Sequence, residues 1–172
     1  MAYRSHDEVT VDVAAEPALL FDHLDDQERL AAHMAKPSMM MMGGRMAYEF
    51  DATKGRAVGS VIRMRGEFLW LRLFVEEVVT VHARPARKVW ETRGAPKLLI
   101  IGGYAMGFEI ARSASASRLR VFIDYDQPAT LLGRVLGVVF APLYARWCVD
   151  RMANDAKERF KATATSPLQH AE

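Results

Sequence analysis

The sequence predicts an α+β protein in which an antiparallel sheet of about seven strands is covered by one long C-terminal helix. Three observations carry this. From Met39 to Gly133 the chain is a succession of β-branched and aromatic runs, punctuated at Gly43-Gly44, Lys54-Gly55, Arg84-Pro85, Gly94-Ala95-Pro96 and Ser113-Ala114-Ser115. No helical segment separates those runs, so a meander is expected and a parallel, dinucleotide-type sheet is not. After Gln127-Pro128 comes the longest stretch of helical periodicity in the chain.

The elements follow in order. Residues 3–14 alternate, with Val9, Val11 and Val13 separated by Thr10 and Asp12, the period-two pattern of a strand with one wet face. Glu16-Pro17 opens a short helix that ends near Asp25, because proline in a first turn lacks only an N–H that would have gone unpaired. A second short helix is expected over 27–35, stopped by Pro37. Strands are placed at 45–53, 58–68, 70–82, 87–93, 97–111 and 117–126. The final helix, 129–163, repeats Leu132, Val135, Leu136, Val139, Leu143, Trp147, Met152 and Phe160 at helical spacing, with a kink expected at Pro142.

Composition narrows the function. With 172 residues and 51% hydrophobic content the chain can bury a substantial core, so residues 1–163 are expected to form a single domain and 164–172 a flexible C-terminal tail. A net charge of +2 gives no one-sided field, so no nucleic acid is expected. The single cysteine, Cys148, has no partner for an internal disulfide, and the polar, acidic start does not read as a secretory signal; a cytoplasmic location is expected. Walker-type, HExxH, Cys-x-x-Cys and Gly-x-Ser-x-Gly motifs are absent from the sequence, so no metal and no cofactor is called for.

The order of elements resembles the START-like, helix-grip proteins of the SRPBCC superfamily. The resemblance rests on Val9-Thr10-Val11-Asp12-Val13 followed by Pro17-Ala18-Leu19-Leu20-Phe21-Asp22-His23-Leu24-Asp25-Asp26-Gln27-Glu28-Arg29-Leu30, and on Ala83-Arg84-Pro85-Ala86-Arg87-Lys88-Val89-Trp90, a Pro-containing turn entering a Trp-bearing strand. It implies a curved sheet wrapped around the C-terminal helix with an apolar cavity between them. It carries no universal catalytic motif, and one fold of this kind hosts carriers, cyclases and accessory factors.

Several residues are candidates for contact with a ligand. Ile62, Met64, Phe68 and Trp70 share one strand face, and Leu98, Ile100, Tyr104, Met106, Phe108 and Ile110 another. Among the residues offering an apolar body with a polar handle are Trp70, Trp90, Tyr104, Tyr144 and Trp147. Met64, Phe68, Met106 and Phe108 supply apolar lining. Gly133, Gly137, Ala141 and Ala145 form a small-residue row on one helix face, which either packs closely on the sheet near Gly102-Gly103 or leaves volume under Gly137. Met34, Met39, Met40, Met41, Met42 and Met46 read either as a compliant cavity lid or as filler. Of the possible acids and bases, His82, Glu77, Glu109 and Asp124 lie in strands and are expected on the solvent face, and the acids around His23 are expected to be solvated. Cys148 reads as a buried, inert thiol.

These features favour a protein that binds a small hydrophobic molecule, of lipid, polyketide or isoprenoid type. One alternative is a cyclase or dehydratase-like enzyme, which polar residues grouped at one inward point would favour. Another is an accessory protein docking on a membrane or a larger enzyme through Arg134, Arg146 and Arg151. Peripheral membrane contact and homodimerisation are left open.

Overall fold

A computed structural model describes residues 3–26, 29, 45–68, 71–114 and 116–164. The second short helix, the methionines at 34–42, Trp70 and the tail beyond 164 lie outside the described residues, and Met46 and Phe68 are described by their backbone alone. The elements are β1 (Ser5–Val13), α1 (Pro17–Leu24), β2 (Arg45–Phe50), β3 (Val61–Phe68), β4 (Leu71–Ala83), β5 (Arg87–Lys97), β6 (Tyr104–Ser113), β7 (Ala116–Tyr125) and α2 (Leu131–Ala164). The seven strands form one antiparallel sheet in the order β1-β7-β6-β5-β4-β3-β2, so β1 joins the far edge beside β7 while the rest is a meander.

Opposed residues in antiparallel strands point to the same face, which lets the register define cross-strand rows. One inward row runs Tyr48, Met64, Val75; the next runs Phe50, Ile62, Glu77, Thr92. Then come Val79, Trp90, Met106, Ile123 and, beyond them, His82, Lys88, Phe108, Val121, Val9. The step from Val79 to His82 changes parity because the β4–β5 register shifts between Val79 and Val81. A bulge at Thr80 therefore brings an even-numbered residue onto the face that Val75, Glu77 and Val79 occupy.

The final strands differ from the sequence expectation at one place. Instead of breaking at Gly94, β5 continues to Lys97, with Gly94 at φ +71°, and residues 98–103 form an irregular stretch before β6. That stretch is pinned: a Cβ on Gly102 would sit 2.6 Å from the Gln127 carbonyl oxygen, and the Gly102 amide donates to the Asp126 carbonyl at 2.7 Å. Only glycine permits this approach.

The helix α2 runs continuously through Pro142. Its buried face is the small-residue row, extended: Gly133, Gly137, Ala141, Ala145, Val149, Met152, Ala153 and Ala156 are all buried. The larger apolar residues that set the periodicity in its first half point outward instead, with Val135 64%, Val139 58% and Leu143 63% exposed. Small side chains allow the helix backbone to come close to its support, and they win over the bulkier stripe. At Gly137 an added Cβ would lie 2.9 Å from the Ile100 carbonyl oxygen and 3.1 Å from Pro128 Cδ, so no free volume lies under this residue. Of the two readings of the glycine row, close packing on the 98–103 stretch is the one realised.

The close backbone contacts of α2 with the sheet are to β1 and β7, and the core between them is apolar: Val13, Leu119, Val121, Ile123, Ala145 and Val149. α1 caps this core with Leu20, Phe21 and Leu24, all nearly inaccessible, and Phe21 meets Phe108 edge-on at 5.4 Å. The polar groups of the interior, among them Glu77 and Lys88, are found on β4 and β5.

Candidate functional site

Glu77 is the unexpected residue of this interior. The segment Val75-Glu76-Glu77-Val78-Val79 is a strand, so its two acids must point to opposite faces. Glu76 faces solvent and pairs with Arg63 at 2.8 Å, and Glu77 faces inward with 5% of its surface exposed. The expectation that Glu77 lies on the solvent face is thus overturned, because Glu77 shares its side of the strand with the buried Val75 and Val79 while the adjacent acid takes the wet side.

A buried carboxyl without partners would be costly, and Glu77 has partners. Tyr104 Oη donates a short hydrogen bond to Glu77 Oε1, and the Trp90 indole N–H donates to the same carboxyl. Tyr104 is held in place from behind, its amide donating to Thr92 Oγ1 at 3.0 Å. Burial pushes the Glu77 carboxyl up to about 7, against the opposing pull of the Tyr104 and Trp90 hydrogen bonds and the more distant Lys88 charge.

Around this carboxyl stand three further groups from two other elements. Tyr48 of β2, Tyr144 and Cys148 of α2 interact electrostatically with Glu77, with Tyr104, or with one another. Tyr144 and Cys148, one helical turn apart, share a hydrogen bond, and burial drives the thiol up to about 12. The phenols of Tyr48, Tyr104 and Tyr144 are all raised; burial is the main cause for the first two, and the neighbouring Cys148 for Tyr144. These side chains nonetheless keep part of their surface accessible, Tyr48, Tyr104, Tyr144 and Cys148 all being half-buried. Three half-buried phenols and a thiol thus gather around one buried carboxyl.

A second polar set lies on the same face, beneath α1. Lys88 is completely buried, its ammonium 2.6 Å from Asp25 Oδ1, and His82 Nε2 lies 3.0 Å from Asp25 Oδ2. Asp25 is itself 7% exposed, so it is not one of a group of solvated acids, as expected around His23, but the buried counter-ion of a lysine. His82, expected on the solvent face, is turned inward by the bulge at Thr80 and stands edge-on to Phe21 at 5.4 Å. Lys88 Nζ lies 5.8 Å above the Trp90 ring, which links the two sets. The remaining candidate acids are surface pairs: Glu109 with Arg87 and Arg120, and Asp124 with His6.

The other anticipated ligand contacts divide clearly. Trp90, Tyr104 and Tyr144 converge on Glu77, and Met64 lies one row away beside Tyr48. Met106 is partly buried beside Trp90. Phe108 is wholly enclosed by Phe21 and Trp90 and belongs to the core. Gly137 meets the Ile100 carbonyl and the Pro128 ring. Trp147 stacks on Tyr144 with ring centres 6.1 Å apart and keeps part of its surface exposed. Glu77, Tyr48 and Lys88 were not among the candidates for ligand contact; the signal in the sequence was a pair of adjacent acids in a valine-rich strand, one of which must face inward.

Elsewhere, a recess of about 410 Å³ lies between the end of α1 and the C-terminal half of α2, lined by His23, Leu24, Met152, Asp155 and Arg159 among others. Burial, with the Arg29 and Arg159 charges, lowers the His23 imidazole. Among the described residues no group of three His, Cys, Asp or Glu side chains could hold a metal ion, and no helix is long and apolar enough to cross a membrane.

No family model matches the chain, and no curated protein is significantly similar to it. Solved structures do match. Protein TTHA0849 from Thermus thermophilus superposes with a TM-score of 0.63 at 13% identity, covering 94% of this chain and 100% of that one. Ara h 8.0201 gives 0.62 at 10% identity, covering 92% and 98%. Protein CV1439 from Chromobacterium violaceum gives 0.60 at 11% identity, covering 91% and 98%. The chain has a helix-grip fold. At such identities the likeness is one of architecture, and the polar interior around Glu77 is read from this chain's own residues.

Proposed function

We propose that this helix-grip chain binds a small, mostly apolar molecule in the space between the inward faces of β2 to β6 and α2, as a START-like carrier or sensor of the SRPBCC type. The observation that carries the reading is the cluster of Tyr48, Tyr104, Tyr144, Trp90 and Glu77 on the inward side, where the buried Trp90 and Glu77 meet three half-buried phenols. Aromatic bodies supply apolar contact and their polar handles orient the guest. A lipid, polyketide or isoprenoid-like molecule fits this chemistry.

The test is native mass spectrometry of freshly purified protein, followed by denaturation and identification of released compounds, with hydrophobic-dye titration alongside. A retained small molecule, or dye displaced by such molecules, is expected. A clean apo mass combined with no dye binding would end the reading.

A second reading is favoured by one specific feature: the polar groups are gathered at one point instead of being spread over a greasy surface. A carboxyl titrating near neutrality is suited to give and take a proton, as a cyclase or dehydratase-like enzyme requires. Turnover of a retained compound that disappears in Glu77→Gln, while the compound is still bound, would establish this reading over the carrier.

Docking through the long helix has less electrostatic support. Arg146 is paired with Asp7 at 3.4 Å and Asp150 at 3.0 Å, and Arg151 with Asp155 at 3.3 Å.

A further inference from the structure

We infer that Glu77 is the anchor of the interior site and selects ligands whose polar end donates a hydrogen bond, an alcohol or phenol on an apolar body. The inference deepens the binding reading above and rests on it.

The argument is one of donors and acceptors. A carboxylate offers about four lone-pair directions, and two are met here, by the Tyr104 hydroxyl and the Trp90 indole. Among the described residues, the other groups facing it add no further ion pair. On β5, Lys88 already forms its 2.6 Å contact with Asp25, which His82 also holds. On β2 and α2, Tyr48, Tyr144 and Cys148 all stay protonated at neutral pH, their acidities weakened by burial and by one another. The buried carboxyl thus has neutral donors for partners and acceptor capacity beyond them. A ligand hydroxyl supplies the missing donor. A ligand of the same shape that can only accept leaves the charged form further desolvated.

Linkage gives the two ligand types opposite pH dependences. A donor stabilises the ionised carboxyl, so its affinity rises as pH passes upward through about 7, where Glu77 ionises. An acceptor favours the protonated carboxyl, which can donate to it, so its affinity falls over the same range.

The test uses 1-naphthol and its methyl ether, 1-methoxynaphthalene, titrated calorimetrically into the full chain at ~pH 5.5 and ~pH 8, on either side of the Glu77 transition. Naphthol is expected to bind about tenfold tighter at the higher pH, the scale of a hydrogen bond to a charged group, and the ether to bind more weakly there. Glu77→Gln should flatten both responses. Tyr104→Phe, which removes a hydrogen bond that lowers the Glu77 pKa, should move the midpoint of the naphthol response to higher pH. If both probes bind and respond to pH alike, or if the response survives in a folded Glu77→Gln protein, the anchor role is overturned while the binding site stands. If neither probe binds the unaltered protein, the interior-binding reading falls and this inference falls with it.

Discussion

The inward sheet face carries two buried polar sets, separated by the Val79–Trp90 row, and they are built on different principles. Under α1, Lys88, Asp25 and His82 form a closed set in which a positive charge meets a negative one at 2.6 Å. On the other side, Glu77 has neutral donors for its direct partners, and Lys88 is committed to Asp25. A closed ion pair holds elements together but has little left to offer a guest. A carboxyl whose charge is only partly compensated costs the fold stability, and that cost is what a ligand can relieve.

The largest effect should come from breaking the closed set. Asp25→Ala strands a fully buried ammonium and should destabilise the fold by about 3–5 kcal/mol, measured by urea denaturation. If the loss is under about 1 kcal/mol, Lys88 is not compensated by Asp25 and the contrast fails.

Glu77 should behave in the opposite sense. Its folded pKa of about 7 lies above the usual 4.5, so the native state holds a proton that the unfolded state releases, and stability falls as pH rises from about 4.5 to about 7. Glu77→Gln removes that loss. The variant should gain about 3 kcal/mol relative to the unaltered protein on going from ~pH 4.5 to ~pH 8, read from paired denaturation curves. A pH-independent difference would mean that the carboxyl is not desolvated.

Gly137→Trp separates packing from binding. Because the Gly137 backbone already approaches the Ile100 carbonyl, the substitution should cost about 1–3 kcal/mol or more in stability, seen as a lowered melting temperature. The folded fraction should bind a ligand near Glu77 unchanged. The smallest effect is expected at the surface. The Asp124 hydrogen bond raises the His6 imidazole above its usual 6.5, so its contribution is present below that pH and vanishes as pH rises through the folded value. His6→Ala should cost less than about 1 kcal/mol at acid pH and nothing in alkali.

The architecture was legible because hydrophobic alternation and punctuation survive in the strands, and the helix-grip arrangement follows from the order of elements. Two things were not legible. In Val75-Glu76-Glu77-Val78-Val79 alternation requires one acid to face inward but cannot say which, since valines occupy both parities. In α2, periodicity picks out Val135, Val139 and Leu143, which are exposed, whereas the buried face is the glycine–alanine row. Hydrophobic size competes there with closeness of approach, and the contact with residues 98–103 that decides the outcome is not written in the helix itself. Trp90, Tyr104 and Tyr144 were legible as amphipathic aromatics, but the carboxyl that unites them was not.

The bulge at Thr80 has a practical consequence for finding this arrangement in other chains. Glu77 and His82 are five residues apart, an odd spacing that would assign them to opposite sides of any regular strand. A template built on strict alternation would discard every chain that carries the pair. The pattern to search for is an acid, four intervening residues of which one is bulged, and a histidine on one strand, facing a lysine and a tryptophan two residues apart on the next.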